Sequence, residues 1–141
     1  MNDWPGTIIA EDAEARVHLV EGPVYVLDVL GLLGSKMMSR ALEAIWGHPE
    51  WKQPWGFVIL THEGVRYEPD LRGHSMPPHD RRAVNTAIVS KQQLHRMVIG
   101  TIGISLRLAK SFPLEVFPDI HDAIEATRRH VAAARAAGRP Y

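Results

Sequence analysis

The stretch that most constrains the fold of this chain is residues 83–117, AVNTAIVSKQQLHRMVIGTIGISLRLAKSFPLEVF. Its first part, 83–89, is typical of a buried strand because it is a short apolar run rich in β-branched residues. Residues 91–110 have the apolar spacing of a long helix, and 112–117 is typical of a second short strand. A strand, a crossover helix and a second strand predict two parallel strands in a layered α/β domain.

The remaining segments extend this pattern in both directions. We predict a hairpin of two strands, a helix, a buried strand and a C-terminal helix at 15–20, 24–30, 36–46, 55–61 and 120–137. The predicted fold is α/β, with a mixed β-sheet of about five strands and helices packed mainly on one face. At 141 residues the chain is expected to form one domain over 15–137, with an N-terminal extension over 1–14 and a short tail over 138–141.

Composition excludes several classes of site. The sequence has no cysteine, which excludes disulfides, thiolate metal sites and a cysteine nucleophile, and agrees with a reducing compartment. The N-terminal residues have early acidic side chains and no apolar core of signal-peptide length. The longest nearly apolar run, within 97–108, is too short and too often interrupted to span a bilayer. We therefore expect a soluble, cytoplasmic protein.

Charge is balanced overall and uneven along the chain. Residues 1–70 contain 5 Lys or Arg and 11 Asp or Glu, whereas residues 71–110 contain 7 and 1. The acidic and basic parts either face each other within one fold or steer a partner towards the chain. Nucleic acid is not an expected partner, because the net charge is zero and the basic residues have no interleaved aromatic residues.

The predicted helix over 91–110 has more apolar surface than a surface helix of a small domain needs. Apolar side chains cover more than half of its circumference, whereas an amphipathic surface helix needs about a third. The C-terminal helix, a second subunit or an apolar ligand could cover the excess, and the sequence leaves these alternatives open. The candidate partner or ligand surface consists of Met97, Ile99, Ile104 and Leu106.

No motif in the sequence specifies catalysis, a cofactor or a metal. His62, His74 and His79, with Asp70 and Asp80, lie in or beside a Pro-rich loop, and their spacing fixes no coordination geometry. The sequence contains no HExxH motif, no GxSxG elbow and no phosphate-binding loop. We therefore predict no catalytic, cofactor-binding or metal-binding residues, and no enzymatic activity.

Two smaller features complete the candidate list. Lys91, His95 and Arg96 lie at the start of the predicted long helix, where main-chain N–H groups and cationic side chains suit an anion, so they are the candidate anion site. Asp28 is the one charge in the strand 24–30, and we interpret it as a residue of that strand's polar face with no visible partner.

Four segments resemble the SpoIIAA-like, STAS-related family of small bacterial domains: VYVLDVLG at 24–31, the strand 55–60, TAIVS at 86–90 and the strand-to-helix junction VFPDIHDAI at 116–124. The resemblance implies a mixed sheet backed by helices on one side and a regulatory or binding role without chemistry of its own. The family's phosphorylated loop, Asp-Ser-x-Gly-Leu, corresponds here to THEGV at 61–65. Because that segment has no serine, the resemblance carries over no phosphorylation switch.

The predicted function is therefore a non-enzymatic regulatory or protein-interaction domain that self-associates as a homodimer. The alternative is a binding or carrier domain for a small apolar or amphipathic ligand.

Overall fold

A computed structural model describes residues 6–62, 65–67, 81, 83–90 and 114–140. The elements in chain order are β1 Thr7–Glu11, β2 Ala15–Val20, β3 Val24–Val29, β4 Leu32–Leu33, α1 Ser35–Trp46, β5 Gly56–Leu60, β6 Arg66–Tyr67, β7 Thr86–Val89, β8 Leu114–Phe117 and α2 Ile120–Ala136. The predicted helix over 91–110 lies outside the described residues. Part of the predicted N-terminal extension forms β1.

Six strands form one mixed sheet in the order β1-β2-β3-β5-β7-β8. The first three strands are antiparallel neighbours, and β3, β5, β7 and β8 are parallel. A second, two-stranded sheet pairs β4 with β6, beyond the carboxyl ends of β3 and β5. The α/β class and the mixed sheet are confirmed, and the sheet has six strands rather than about five because β1 joins its edge.

The two described helices lie on opposite faces of this sheet, which differs from the expectation that helices pack mainly on one face. Successive side chains of a strand point to opposite faces. Tyr25, Leu27 and Val29 of β3 pack in one core with α1, whereas Val24 and Val26 pack in a second core with α2. The physical reason is that every residue of β3 and β5 is buried, so both faces need a cover.

The ends of α2 follow from local chemistry. Asp119 is its N-cap, and its carboxylate accepts a hydrogen bond from the main-chain N–H of Asp122. Pro118 before it cannot donate in a strand and helps to end β8. No helix in the described part of the chain has the length and hydropathy to cross a membrane.

Candidate functional site

The polar feature at the carboxyl end of the parallel strands is a contact between Asp28 and His62. Asp28 is the fifth residue of β3 and pairs with Leu60 of β5 in a parallel register. His62 follows Leu60 by two residues, so it lies on the same face of the sheet as Asp28. Its Nε2 lies 2.6 Å from Oδ1 of Asp28. The Asp28 side chain is 4 % exposed and the His62 side chain is 47 % exposed.

This geometry fixes the orientation of the imidazole ring. An ionised carboxylate only accepts hydrogen bonds, so Nε2 of His62 donates to Asp28. Nδ1 is the second ring nitrogen and remains available on the half-exposed side of the ring. The pair can therefore present a fixed acceptor, or a fixed cation when the ring is protonated, to a molecule at this end of the sheet. In open α/β sheets, ligands bind outside the carboxyl ends of the strands.

Two further charged residues extend this feature to the edge of the sheet. Arg16 of β2 lies opposite Asp28, and Glu11 of β1 lies opposite Arg16. The Arg16 guanidinium forms an ion pair with Glu11 at 2.6 Å. We call Glu11, Arg16, Asp28 and His62 the polar row. Charges alternate along it, because an acidic residue lies on each side of Arg16 and His62 lies beyond Asp28.

His18 lies on the same face as the polar row and is almost fully buried. Burial lowers the pKa of its imidazole, and the charge of Arg16 lowers it further. The negative charges of Asp28 and Glu11 act in the opposite direction and do not overcome the burial. His18 is therefore held neutral at neutral pH, close to a buried carboxylate.

Thr61, the residue before His62, does not face the polar row. Strand alternation places Thr61 on the opposite face from His62. The Thr61 hydroxyl donates to the main-chain oxygen of Val89, which ties β5 to β7. The described residues also contain no group of three or more His, Cys, Asp or Glu side chains that could hold a metal ion. The described contacts of the polar row are the hydrogen bond between Asp28 and His62 and the ion pair between Arg16 and Glu11.

Apolar side chains are exposed at two places near this face of the sheet. Leu30 and Leu32, which follow β3, are 42 % and 37 % exposed. Ile8 on the edge strand β1 is 51 % exposed. Ile8 lies opposite His18 of β2, so the edge is apolar beside one end of the polar row.

The residues chosen from the sequence fall largely outside this region. The candidate partner or ligand surface, Met97, Ile99, Ile104 and Leu106, lies outside the described residues, and so does the candidate anion site, Lys91, His95 and Arg96. Of the loop histidines considered for a metal, His62 is described and contacts Asp28. His74 and His79 are not described.

The sequence analysis missed the partner of Asp28. It placed Asp28 correctly in a strand and interpreted it as a residue of a polar face, whereas the structure buries it. The sequence did contain one signal for the contact between Asp28 and His62. Asp28 and His62 both lie near the carboxyl ends of apolar strands, and parallel neighbours bring such ends together. The register between the two strands was missing from the sequence analysis.

Comparisons of the chain with protein-family models, with curated proteins and with solved structures found no match.

Proposed function

We propose that this protein is a non-enzymatic regulatory or protein-interaction domain that self-associates through its edge strand β1. Membership of the SpoIIAA-like family is part of the same proposal. The observation that carries it is the exposure of Ile8, the most exposed of the large apolar side chains among the described residues, on a strand at the end of the sheet.

An edge strand presents main-chain N–H and C=O groups that a second strand can pair with. Within the described residues, β1 pairs with β2 alone. Natural proteins commonly protect such edges with Lys, Pro or β-bulges. The sequence of β1, TIIAE, contains neither Lys nor Pro, and its one charge, Glu11, forms an ion pair with Arg16. A register shift between Ile8 and Ala10 is the only one of these devices present in β1.

A second copy of the chain, related by a two-fold axis beside β1, can pair with the free main-chain groups of this edge strand. Two copies of β1 in antiparallel pairing join two six-stranded sheets into one, and the same surface of each copy then contacts the other. The Ile8 side chains of both copies lie on this joined strand pair and bury apolar area that is exposed in one copy. Long-range repulsion does not oppose the contact, because the chain has a net charge of zero.

The test of self-association through β1 compares two exposed apolar residues, one on the edge strand and one away from it. Ile8→Lys places a charge on β1, and Leu30→Lys places the same charge at the carboxyl end of β3, where the exposure is similar. Sedimentation velocity over a range of protein concentrations measures self-association. We expect the native chain and Leu30→Lys to dimerise with similar affinity, and Ile8→Lys to dimerise about tenfold or more weakly, a change of at least about 1.4 kcal/mol.

Two results overturn this proposal. A native chain that sediments as a monomer at every concentration removes self-association. A dimer that Leu30→Lys weakens and Ile8→Lys leaves unchanged moves the contact to the carboxyl end of the sheet. Circular dichroism of each variant confirms that the fold is retained.

A further inference from the structure

A groove of about 760 Å³ lies at the opposite end of the sheet from the polar row. Its walls are the turn between β2 and β3, the connector that follows α1, and the last turns of α2. The apolar part of its lining includes Leu19, Pro23 and Ala132. The groove is open to solvent and is large enough for a small organic molecule.

Cationic side chains predominate among the charged residues of this groove. Lys52, Arg128 and Arg135 line it, together with two acidic residues, Glu21 and Glu50. The two arginines are seven residues apart on α2, so they lie on one face of the helix two turns apart.

Both arginines are held in place by the turn between β2 and β3. Nε of Arg128 donates to the Glu21 carbonyl at 3.0 Å, and Nη2 of Arg135 donates to the Gly22 carbonyl at 3.2 Å. A guanidinium has five N–H donors. Nη1 of Arg128 also donates to the Glu125 carboxylate at 3.4 Å. Each arginine is therefore positioned by the turn and still has N–H donors that no described residue accepts from.

Tyr25 supplies an independent observation at the same groove. It lines the groove, it is fully buried, and its hydroxyl has no hydrogen-bond partner among the described residues. Buried polar side-chain atoms nearly always have a partner. The aromatic ring packs edge to face against Trp55, with centroids 5.9 Å apart. Burial raises the pKa of the Tyr25 phenol, and the charge of Glu50 adds to this rise, which keeps the hydroxyl protonated as a donor.

We propose that this groove binds a small organic anion with a short apolar body. Arg128 and Arg135 hold its carboxylate or phosphate group, the apolar body lies on Leu19 and Pro23, and the Tyr25 hydroxyl donates to an oxygen of the ligand. This site is distinct from the edge strand proposed for self-association. It gives the protein a small-molecule ligand in addition to its protein partner.

The test uses three ten-carbon probes that differ in the head group: decanoate, decyl phosphate and the neutral decanol. Isothermal titration calorimetry below the micelle concentration measures their affinity for the full chain. We expect both anions to bind saturably with one site per chain. Decanol should bind about tenfold or more weakly, because it cannot form charge-assisted hydrogen bonds with the arginines.

Three variants separate a ligand site from a purely structural role of these residues. Tyr25→Phe removes one oxygen that has no hydrogen-bond partner among the described residues. It should leave the midpoint of thermal unfolding unchanged or raised, and should weaken decanoate binding by roughly threefold to tenfold. Arg135→Gln should weaken binding by about tenfold, as expected for a hydrogen bond to a charged group. Arg129→Gln, an exposed neighbour on α2 outside the groove, should bind as the native chain does.

Several results overturn the inference. Absence of saturable binding of either anion removes the site, and equal binding of decanol removes the role of the arginines. A loss of thermal stability in Tyr25→Phe shows that the hydroxyl has a partner within the protein. Binding to vesicles of phosphatidylcholine and phosphatidylglycerol without binding of the free anions assigns the groove to a membrane surface instead.

Discussion

Asp28 is the one charged residue of a strand whose other five positions are apolar. Moving a carboxylate from water into a protein interior is unfavourable unless the charge gains a partner. His62 supplies that partner from the end of the neighbouring strand. The contact is asymmetric, because the carboxylate is buried and the imidazole is half exposed. Replacing Asp28 and replacing His62 should therefore lower the free energy of unfolding by different amounts.

We expect His62→Ala to lower the free energy of unfolding by about 2–3 kcal/mol, because the buried carboxylate then loses its partner. Asp28→Asn should cost less, about 1 kcal/mol, since the amide oxygen can still accept from Nε2 and no charge is left buried. Urea denaturation followed by circular dichroism measures both changes.

The His130–Glu115 contact provides a control on the same protein. Its two atoms are 2.9 Å apart, and both side chains are more than a third exposed. An exposed pair of this kind contributes under about 1 kcal/mol. If His62→Ala costs no more than His130→Ala, the burial of Asp28 does not set the strength of its contact with His62.

The close approach of α2 to β5 depends on a residue with no side chain. Gly56 is the first residue of β5, and a Cβ atom built on it would lie at an impossibly short distance from the methyl group of Thr127. The same atom would lie 3.2 Å from Val131. Both neighbours are buried residues of α2, so neither can move freely. The glycine therefore sets how close the helix lies to the sheet.

Gly56→Ala should destabilise the fold by about 1–3 kcal/mol through overpacking at this contact. Gly31→Ala is the matched control, because a Cβ atom at Gly31 would meet nothing within 4 Å, and it should be close to neutral. Thr127→Ser removes the obstructing methyl group, so it should recover part of the loss in the double variant. Equal effects of the two alanine variants in thermal unfolding contradict this account of the packing.

Local patterns in the sequence were sufficient to place most elements. The strand predicted at 15–20 matches Ala15–Val20, and the C-terminal helix predicted at 120–137 matches Ile120–Ala136 within one residue. Apolar spacing and capping residues carry this information, and both are properties of neighbouring residues. The prediction that the helices pack mainly on one face was wrong for the two described helices, because the face depends on how distant strands are ordered in the sheet.

The candidate sites, like the packing of the helices, depend on contacts between distant residues rather than on local patterns. Burial of Asp28 against His62, the groove beside Tyr25 and the edge position of β1 all bring together residues far apart in the chain. Spacing along the sequence contains little information about such contacts, so the sequence analysis named residues of one segment, 91–106, instead. The polar row links three strands and the segment after a fourth, which no local motif can specify.

The two cores of the molecule share one sheet, and a charge that forms within either core affects the stability of the whole chain. His18 is such a group. Burial lowers its pKa in the folded protein from 6.5, the value expected of an unfolded chain. As the pH falls below about 6.5, the unfolded chain therefore binds a proton that the folded chain does not, and the free energy of unfolding decreases. Above that pH, His18 is neutral in both states and contributes no pH dependence.

This difference predicts the behaviour of His18→Gln, which removes the titrating group. Between pH 8 and pH 5, measured by urea denaturation at each pH, we expect the variant to lose less stability on acidification than the native chain, with the two curves diverging below about pH 6.5. A native curve that diverges in the opposite direction shows that Asp28 and Glu11 overcome burial and favour the protonated ring. In that case the polar row stabilises a cation beside Asp28, and acidification strengthens this part of the sheet.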